Sequence, residues 1–292
     1  MPRPQQLRSK IFLDSGDPAE TQEILELFGF LDGQTTNPTL ITKNPHVQAH
    51  LASGSTFTQQ EAWHQYRSIV EQISSLIPSG SVSIEIYADT TTSVEQMVQQ
   101  ARQCNTWIPN AHIKFPANSA GIQAAQQSIA EGIRVNMTLC FSQQQAAAIY
   151  RATAGAKRGD VFVSQFVGRM FDNNLNGLDV LRNTITMLSH TDRHIEILAA
   201  SFRNVYQMVK AIELGADIIT MPTKLAKEWH AAGMPITTND LTEPDMPADH
   251  VAFEVIDLHQ PIDEFDVNHP FTITGLEKFV NDWSAIIKNH NH

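Results

Sequence analysis

The sequence predicts an α/β fold, a closed (β/α)8 barrel of the TIM type. Short runs rich in valine and isoleucine recur along the 292 residues, and each is followed by a longer segment whose apolar residues have helical spacing. The alternation repeats eight times, which favours a closed barrel over a doubly wound sheet. The chain is long for one domain, but α/β barrels of this size fold around one core. We therefore expect a single barrel domain over residues 1–292.

The apolar runs and the segments between them give the order of elements. Strands are predicted at Lys10–Asp14, Leu31–Thr36, Val82–Ala88, Ala111–Phe115, Arg134–Thr138, Val161–Val167, Ile195–Ala200 and Asp217–Met221. Helices are predicted at Pro18–Phe28, much of Val47–Ile77, Ser93–Cys104, Ser119–Ala130, Ser142–Ala156, Gly177–His190, Asn204–Leu214 and Pro222–Ala232. Gly155 and Gly215, each followed by alanine, are typical of helix ends that lead into the next strand.

The composition changes after the eighth repeat. Residues from about 237 to 270 contain Asp, Glu, Pro and His among few apolar residues, so we expect an excursion over the barrel surface. Helical spacing returns at about 272–288, where one face is shared by Leu276, Phe279, Val280, Trp283 and Ile287. We expect this helix to dock on the barrel.

Charge and composition exclude several function classes. The chain has 20 Lys+Arg and 31 Asp+Glu, a net charge of −11 that repels polyphosphate backbones, so no nucleic-acid partner is expected. No stretch approaches the roughly 18 apolar residues of a membrane helix, and no signal-peptide apolar region follows the basic N-terminus. Cys104 and Cys140 are too few for a disulfide framework and indicate a reducing compartment. These features predict a cytoplasmic protein with no membrane partner.

Polar side chains follow most of the predicted strands at their carboxyl ends. In a (β/α)8 barrel these ends meet at one mouth, where active sites lie. The eighth predicted strand, ending at Met221, offers no obvious catalytic group. The other seven end at or near Asp14, Asn37, Glu85, Lys114, Asn136, Thr138, Ser164, Arg169, Ser201 and Arg203.

Lys114 is the most informative of these residues, because it lies in the apolar strand Ala111–Phe115. Burial lowers the pKa of lysines in general, and a neutral amine is the nucleophile that forms a Schiff base with a carbonyl substrate. Glu85 and Asp14 beside it would supply the proton transfer that cleavage of a carbon–carbon bond through an imine requires. The structural alternative is a lysine held in a salt bridge to either acid. His112, on the same strand face, is expected to be a packed histidine.

Two arginines in this acidic chain follow consecutive strands, and each is preceded by a serine. Ser164 precedes Arg169, and Ser201 precedes Arg203. The guanidinium fork matches phosphate geometry and a serine hydroxyl adds a donor, so the pattern predicts a phosphate clamp. The structural alternative is that each arginine pairs with a nearby acid, Asp172 or Glu196.

Seven segments around these residues form a pattern that resembles the transaldolases and their relatives, the fructose-6-phosphate aldolases. They are Phe12–Ser15, Asp32–Ile41, Val82–Glu85, Ile113–Ala117, Gly132–Leu139 with the following Phe141-Ser142, Ser164–Arg169 and Ala200–Asn204. The resemblance covers about residues 10–225 and the terminal helix. The Thr-Thr-Asn-Pro motif at 35–38 is moderately specific alone, whereas seven segments in family order are very specific.

The resemblance implies a circularly permuted class I aldolase barrel that works without a metal or another cofactor. It implies that Lys114 forms the Schiff base, that Asp14 transfers a proton, and that Glu85 acts through a water oriented by Thr138. The implied reaction belongs to the pentose phosphate pathway. It transfers a dihydroxyacetone unit from sedoheptulose 7-phosphate or fructose 6-phosphate to an aldose phosphate.

The resemblance also implies the substrate contacts. Asn37 and Asn136 would hold the dihydroxyacetone unit, and Arg169, Ser201 and Arg203 would bind the phosphate. Sugar phosphates are thus the expected partners, and the sequence leaves a homo-oligomer open.

Three positions bear on the subgroup. The transaldolases resemble this chain in having Glu at 85, Phe at 166 and Arg at 203, where the aldolases have Gln, Tyr and Lys. A tyrosine hydroxyl near the imine would help water to release the three-carbon unit, so Phe166 favours transfer to an acceptor sugar. The chain departs from the usual pattern at three other positions, Thr39, Phe115 and Gln165.

Three alternative functions stay open at this point. The first is fructose-6-phosphate aldolase-like cleavage. The second is a metal-dependent aldolase, against which the spacing of the 12 histidines argues, since His190 and His194 flank a turn and His290 and His292 belong to the C-terminal tail. The third is a catalytically silent sugar-phosphate-binding barrel, against which the intact Lys114 argues.

Overall fold

The computed structural model describes residues 3–287, and within them the chain forms a closed barrel of eight parallel strands. The strands are β1 Lys10–Asp14, β2 Gly33–Thr35, β3 Ser81–Glu85, β4 Ala111–Pro116, β5 Val135–Cys140, β6 Val161–Phe166, β7 Ile195–Ala200 and β8 Ile218–Met221. Each strand pairs with the next in chain order, and β8 pairs with β1 to close the barrel. The predicted (β/α)8 fold is confirmed.

Helices surround the barrel and alternate with its strands. They are α1 Pro18–Phe28, α2 Pro38–Thr42, α3 Pro45–Ala52, α4 Gln59–Leu76, α5 Val94–Asn105, α6 Ser119–Ala130, α7 Gln143–Ala152, α8 Val167–Phe171, α9 Gly177–Leu188, α10 Val205–Leu214, α11 Thr223–Ala231 and α12 Pro270–Ser284, with a 3-10 helix at Ile262–Glu264. Both α1 and α6 have the predicted bounds. Among the described residues, no helix has the length and apolar character needed to cross a membrane.

The structure differs from the predicted elements mainly between β2 and β3. The single helix predicted within Val47–Ile77 is two helices, α3 and α4, preceded by the short α2. Gly54 has a φ of 82° and follows the end of α3. Thr58 then starts α4 with a capping box, in which Glu61 donates its backbone N–H to the threonine side chain and accepts from its backbone. The short α8 after β6 was not predicted, because five residues are too few to show a helical period.

The C-terminal part of the chain packs on the outer helices, and its last helix lines the barrel mouth. Residues 233–261 form turns and extended segments against α7 and α9, where Gln143 Oε1 accepts from the backbone N–H of Glu254 at 2.8 Å. The helix predicted at 272–288 is α12, which begins at Pro270; residue 288, like His290 and His292, lies outside the described residues. Thr272 Oγ1 donates to the carbonyl of Leu139 at 2.8 Å, and this bond fixes the start of α12 above β5.

The interior of the barrel is filled by aromatic and aliphatic side chains in its N-terminal half. Phe12 packs edge-on against Phe162, with ring centroids 5.9 Å apart. His112 stacks on Phe162 at 4.0 Å, and its ring nitrogens bond Ser81 Oγ and the carbonyl of Gly159, both at 2.8 Å. Burial lowers the pKa of His112 to about 3, so the ring is neutral. The prediction of a packed histidine is confirmed.

Candidate active site

The carboxyl ends of the strands surround a cavity of about 230 Å³ at the mouth of the barrel. Most of the predicted site residues line this cavity: Asp14, Asn37, Lys114, Ser164, Phe166, Arg169, Ser201 and Arg203. The other three, Glu85, Asn136 and Thr138, are buried beside it. The structure thus brings all of the predicted residues to one end of the barrel.

Lys114 and Glu85 are neighbours in the register of β4 and β3, and they form an ion pair at the floor of the mouth. Lys114 Nζ is 2.8 Å from Glu85 Oε2, and the two residues are 3% and 4% exposed. The ammonium also donates to the carbonyl of Thr36 at 3.0 Å. Burial raises the pKa of Glu85, and the opposing charge of Lys114 reduces that rise. Lys114 therefore lies at the mouth, as predicted, and also forms the salt bridge to Glu85 that the structural alternative described.

Asp14 ends β1 in the wall of the same cavity. Its Oδ1 accepts from Thr35 Oγ1 at 2.6 Å, and Thr35 Oγ1 lies 2.7 Å from Thr220 Oγ1. Burial raises the pKa of Asp14, while the charge of Lys114 opposes that rise. A carboxyl group with a raised pKa exchanges a proton nearer to neutral pH, which suits a general acid or base.

A chain of hydrogen bonds runs across the floor from β6 to β3. Ser164 Oγ donates to Asn136 Oδ1 at 2.8 Å, and Asn136 Nδ2 donates to Ser83 Oγ at 3.0 Å. Thr138, two residues further along β5, is fully buried, and its hydroxyl has no hydrogen-bond partner among the described residues. A buried hydroxyl without a partner is costly, so a bound water at this position would be stabilised.

Arg203 lies at the rim of the mouth and is tied to a carboxylate. Its Nε donates to Asp172 Oδ1 at 3.0 Å, its Nη2 to Asp172 Oδ2 at 2.6 Å, and its Nη1 to the carbonyl of Ser201 at 2.7 Å. The alternative pairing with Asp172 is therefore present for Arg203. Glu196 is excluded from the mouth, because its carboxylate is 2.7 Å from Lys10 Nζ at the opposite end of the barrel.

Arg169 differs from Arg203 in having no carboxylate within 4.0 Å in the described part of the chain. Its guanidinium carbon lies 5.2 Å from the ring centroid of Phe166. Burial lowers the pKa of Arg169, and the nearby charge of Arg203 lowers it further. Two guanidinium groups that repel each other, one of them without a carboxylate partner, form a site that an anion would stabilise.

Two glycines allow Arg169 to take this position. A Cβ on Gly168 would lie 1.8 Å from the carbonyl oxygen of Ser201, so only glycine lets α8 approach the end of β7. A Cβ on Gly275 in α12 would lie 2.7 Å from Arg169 Nη1 and 2.6 Å from Leu139 Cδ2. Arg169 thus extends from α8, and its guanidinium lies against the C-terminal helix α12 at Gly275.

Several residues of the site were missed from the sequence. The eighth strand does contribute a polar group, since Thr220 lines the mouth and bonds Thr35. In the sequence, the one indication of this role is that Thr220 stands one residue before the end of the strand. Lys278 and Phe279 of α12 also line the cavity. Phe279 belongs to the apolar face predicted to dock on the barrel, but the sequence did not show that this face meets the mouth.

Two of the three departures from the family pattern lie away from the cavity. Gln165 is buried in the barrel wall and donates to Thr184 Oγ1 at 2.6 Å, and Phe115 is fully buried. Thr39 lines the mouth and donates to Asp282 of α12. None of the three departures lies at the floor formed by Lys114 and Glu85.

Comparison with known proteins agrees with this geometry. The family model described as Transaldolase/Fructose-6-phosphate aldolase matches residues 11–290. The chain belongs to the transaldolase/fructose-6-phosphate aldolase family. Among curated relatives, a probable transaldolase of Dehalococcoides mccartyi is 30% identical over 279 residues, which span 96% of this chain and 100% of that protein.

Two further relatives of the family match over nearly as much of each chain. A probable transaldolase of Thermus thermophilus is 32% identical over 277 residues, spanning 95% of this chain and 99% of that protein. A probable transaldolase of Brucella melitensis is 32% identical over 275 residues, spanning 94% of this chain and 96% of that protein. The match therefore extends over nearly the whole length of each chain.

Proposed function

We propose that this protein is a transaldolase that transfers a dihydroxyacetone unit between sugar phosphates through a Schiff base on Lys114. The observation that carries the proposal is the buried Lys114 amine at the floor of a mouth whose rim holds Arg169 and Arg203. An amine and an anion site at the two ends of one cavity match a ketose phosphate, which has a carbonyl near one end and a phosphate at the other.

Bond formation begins when the neutral amine of Lys114 attacks the ketose carbonyl. The 2.8 Å contact with Glu85 and the raised pKa of that carboxyl support proton transfer from the ammonium to Glu85. The same proton can return to the carbinolamine hydroxyl, which leaves as water and yields the imine. The unpartnered hydroxyl of Thr138 is suited to hold that water.

Cleavage of the carbon–carbon bond requires a base at the hydroxyl on the far carbon of the bond that breaks, the carbon that becomes the aldehyde of the leaving aldose phosphate. Asp14, in the cavity wall, takes that proton as the aldose phosphate leaves, and the electron pair of the bond remains on the imine as an enamine. Asn37, Asn136 and Ser164 supply donors and acceptors for the hydroxyls of the retained three-carbon unit. An acceptor aldose phosphate then binds at the same rim, and the steps run in reverse.

Borohydride trapping tests the proposal directly. The protein is treated with fructose 6-phosphate and borohydride, digested, and mapped by mass spectrometry. A reduced three-carbon adduct on Lys114 is the expected result. Sugar-phosphate binding with no adduct would instead support the silent binding barrel, and an adduct on another lysine would overturn the assignment of Lys114.

A further inference from the structure

Tyr66 lies outside the barrel on α4, and its phenol reaches the ends of two neighbouring strands. The residue is 1% exposed. Its hydroxyl accepts from the backbone N–H of Glu85 at 2.8 Å and lies 2.7 Å from Thr36 Oγ1. One side chain from the outer layer thus bonds both the end of β3 and the residue that follows β2.

The direction of each hydrogen bond around Tyr66 follows from the single proton that each hydroxyl can donate. Thr36 Oγ1 donates its proton to the carbonyl of Ser83 at 2.7 Å, so it must accept from Tyr66. Burial raises the pKa of Tyr66, which keeps the phenol protonated and able to donate. The Tyr66 hydroxyl therefore donates to Thr36 and accepts from the backbone N–H of Glu85.

The two residues that Tyr66 holds are also the two that hold Lys114. The Lys114 ammonium donates to the carbonyl of Thr36 at 3.0 Å and is 2.8 Å from the Glu85 carboxylate. A shift in the end of either strand would change the position of an acceptor of Lys114. Because reaction rates fall steeply when reacting groups are misplaced, the spacing of these acceptors bears on the chemistry itself.

We propose that Tyr66 is a positioning residue for the lysine chemistry: its hydroxyl fixes the strand ends that orient Lys114 and Glu85. This inference rests on the proposed function, since it concerns the rate at which Lys114 reacts. Tyr66 does not line the mouth, so it acts through Thr36 and Glu85 and does not touch the substrate.

The aromatic packing around Tyr66 makes its hydroxyl a separable target. The ring contacts Trp63, Trp107 and Trp283, with centroids 6.0–6.1 Å away. A phenylalanine keeps these contacts and loses only the two hydrogen bonds. Tyr150 on α7 offers a matched control, because its ring stacks on His194 just before β7, away from the mouth.

The experiment compares the Tyr66→Phe and Tyr150→Phe variants with the unaltered protein. We expect Tyr66→Phe to lower kcat and the rate of borohydride-trapped adduct formation roughly tenfold or more, with KM within about twofold. Tyr150→Phe should leave all three quantities unchanged. Equal kcat in Tyr66→Phe and the unaltered protein, with a lower Tm only, would reduce Tyr66 to a structural residue and overturn the inference.

A second pair of variants keeps the test decisive if Tyr66→Phe folds poorly. Thr36→Val removes the hydroxyl that accepts from Tyr66, whereas Thr36→Ser retains it. We expect the valine variant to lose kcat as Tyr66→Phe does, and the serine variant to recover most of that loss. Similar kcat in the two variants would contradict the inference. If the unaltered protein forms no adduct and transfers no carbon unit, the proposed function itself fails, which is a distinct result.

Discussion

Lys114 Nζ and Glu85 Oε2 lie 2.8 Å apart at the floor of the barrel mouth, and both side chains are buried. A buried ion pair is costly to form, so its presence is not explained by stability alone. Here the lysine is the nucleophile of the proposed reaction and the glutamate is its proton acceptor. The pair is therefore best understood as a resting state, in which the ammonium awaits a carbonyl substrate.

Replacement of the lysine separates its chemical role from its structural one. Lys114→Met should lower kcat more than about a thousandfold, because it removes the nucleophile. It should also lower the free energy of unfolding by about 3–5 kcal/mol, since Glu85 is left buried without its partner. The double variant Lys114→Met/Glu85→Gln should regain part of that stability and none of the activity. Chemical denaturation measures the loss of stability, and a coupled transfer assay measures the loss of activity. Substantial turnover in either variant would refute the assignment of Lys114 as the nucleophile.

The raised pKa of Glu85 predicts how folding stability changes with pH. The native carboxyl binds its proton more tightly than the unfolded one, whose pKa is near 4.5. Between that value and the raised native pKa the folded state binds more protons, so stability falls as pH rises, by at most about 1.4 kcal/mol per pH unit from this group. Asp14 acts in the same direction from its ordinary value of 3.8. Urea unfolding across this pH range should show a smaller decline in the free energy of unfolding for Glu85→Gln than for the unaltered protein. Parallel plots of that free energy against pH would contradict the prediction.

The two arginines at the mouth should affect phosphorylated substrates selectively. Arg169→Ala and Arg203→Ala should each raise KM for fructose 6-phosphate about 10- to 100-fold, the worth of charge-assisted hydrogen bonds of about 1.5–3 kcal/mol. Neither should change kcat/KM for a non-phosphorylated ketose by more than about twofold. Asp172→Ala serves as a control, since it releases Arg203 without removing a cation and should not weaken phosphate binding. Equal losses on both kinds of substrate would count against the clamp.

Substitution of Gly275 by alanine tests whether α12 keeps Arg169 in place. A methyl group in Gly275→Ala would meet Arg169 Nη1 at 2.7 Å and Leu139 Cδ2 at 2.6 Å, so the arginine or the helix must move. Overpacking of this kind costs about 1–3 kcal/mol, and we expect KM for fructose 6-phosphate to rise about fivefold or more. Thr274→Ala, at the exposed neighbouring position on the same helix, should leave KM unchanged. Indistinguishable KM values for the two variants would show that α12 does not control the arginine.

The barrel and most of the polar residues of its mouth could be predicted from the sequence because both depend on local patterns. Short apolar runs separated by helical segments indicate the fold, and Lys114 stands out because a lysine is rare in an apolar strand. Tyr66 could not be found in this way. A tyrosine on an amphipathic helix has the pattern of an ordinary core residue, and only the packing of α4 against β3 brings its hydroxyl to Glu85.

The contribution of the C-terminal helix was beyond sequence reasoning for a similar reason. Its apolar stripe predicted that α12 docks, but not where. Its position above the mouth depends on Thr272 bonding the carbonyl of Leu139 and on Asp282 accepting from Thr39, contacts that join residues far apart in the chain. The short α8 was also missed, although it carries Arg169, because it is a single turn set by Gly168 against Ser201.

Glu85 and Phe166 together should decide whether the three-carbon unit is transferred or released. Phe166 lines the mouth, with its ring 5.2 Å from the guanidinium of Arg169 and 5.6 Å from the ring of Phe141. Its side chain has no hydroxyl that could help water attack the imine. The double variant Glu85→Gln/Phe166→Tyr should raise the ratio of net cleavage to transfer at least about tenfold, a change of about 1.4 kcal/mol in relative barriers. Product analysis with and without an acceptor aldose phosphate measures this ratio. Glu85→Gln/Phe166→Leu is the control, because it removes the ring without adding a hydroxyl and should not favour cleavage. If the tyrosine and leucine variants give the same ratio, the hydroxyl has no part in releasing the three-carbon unit, and residue 166 does not distinguish transfer from cleavage.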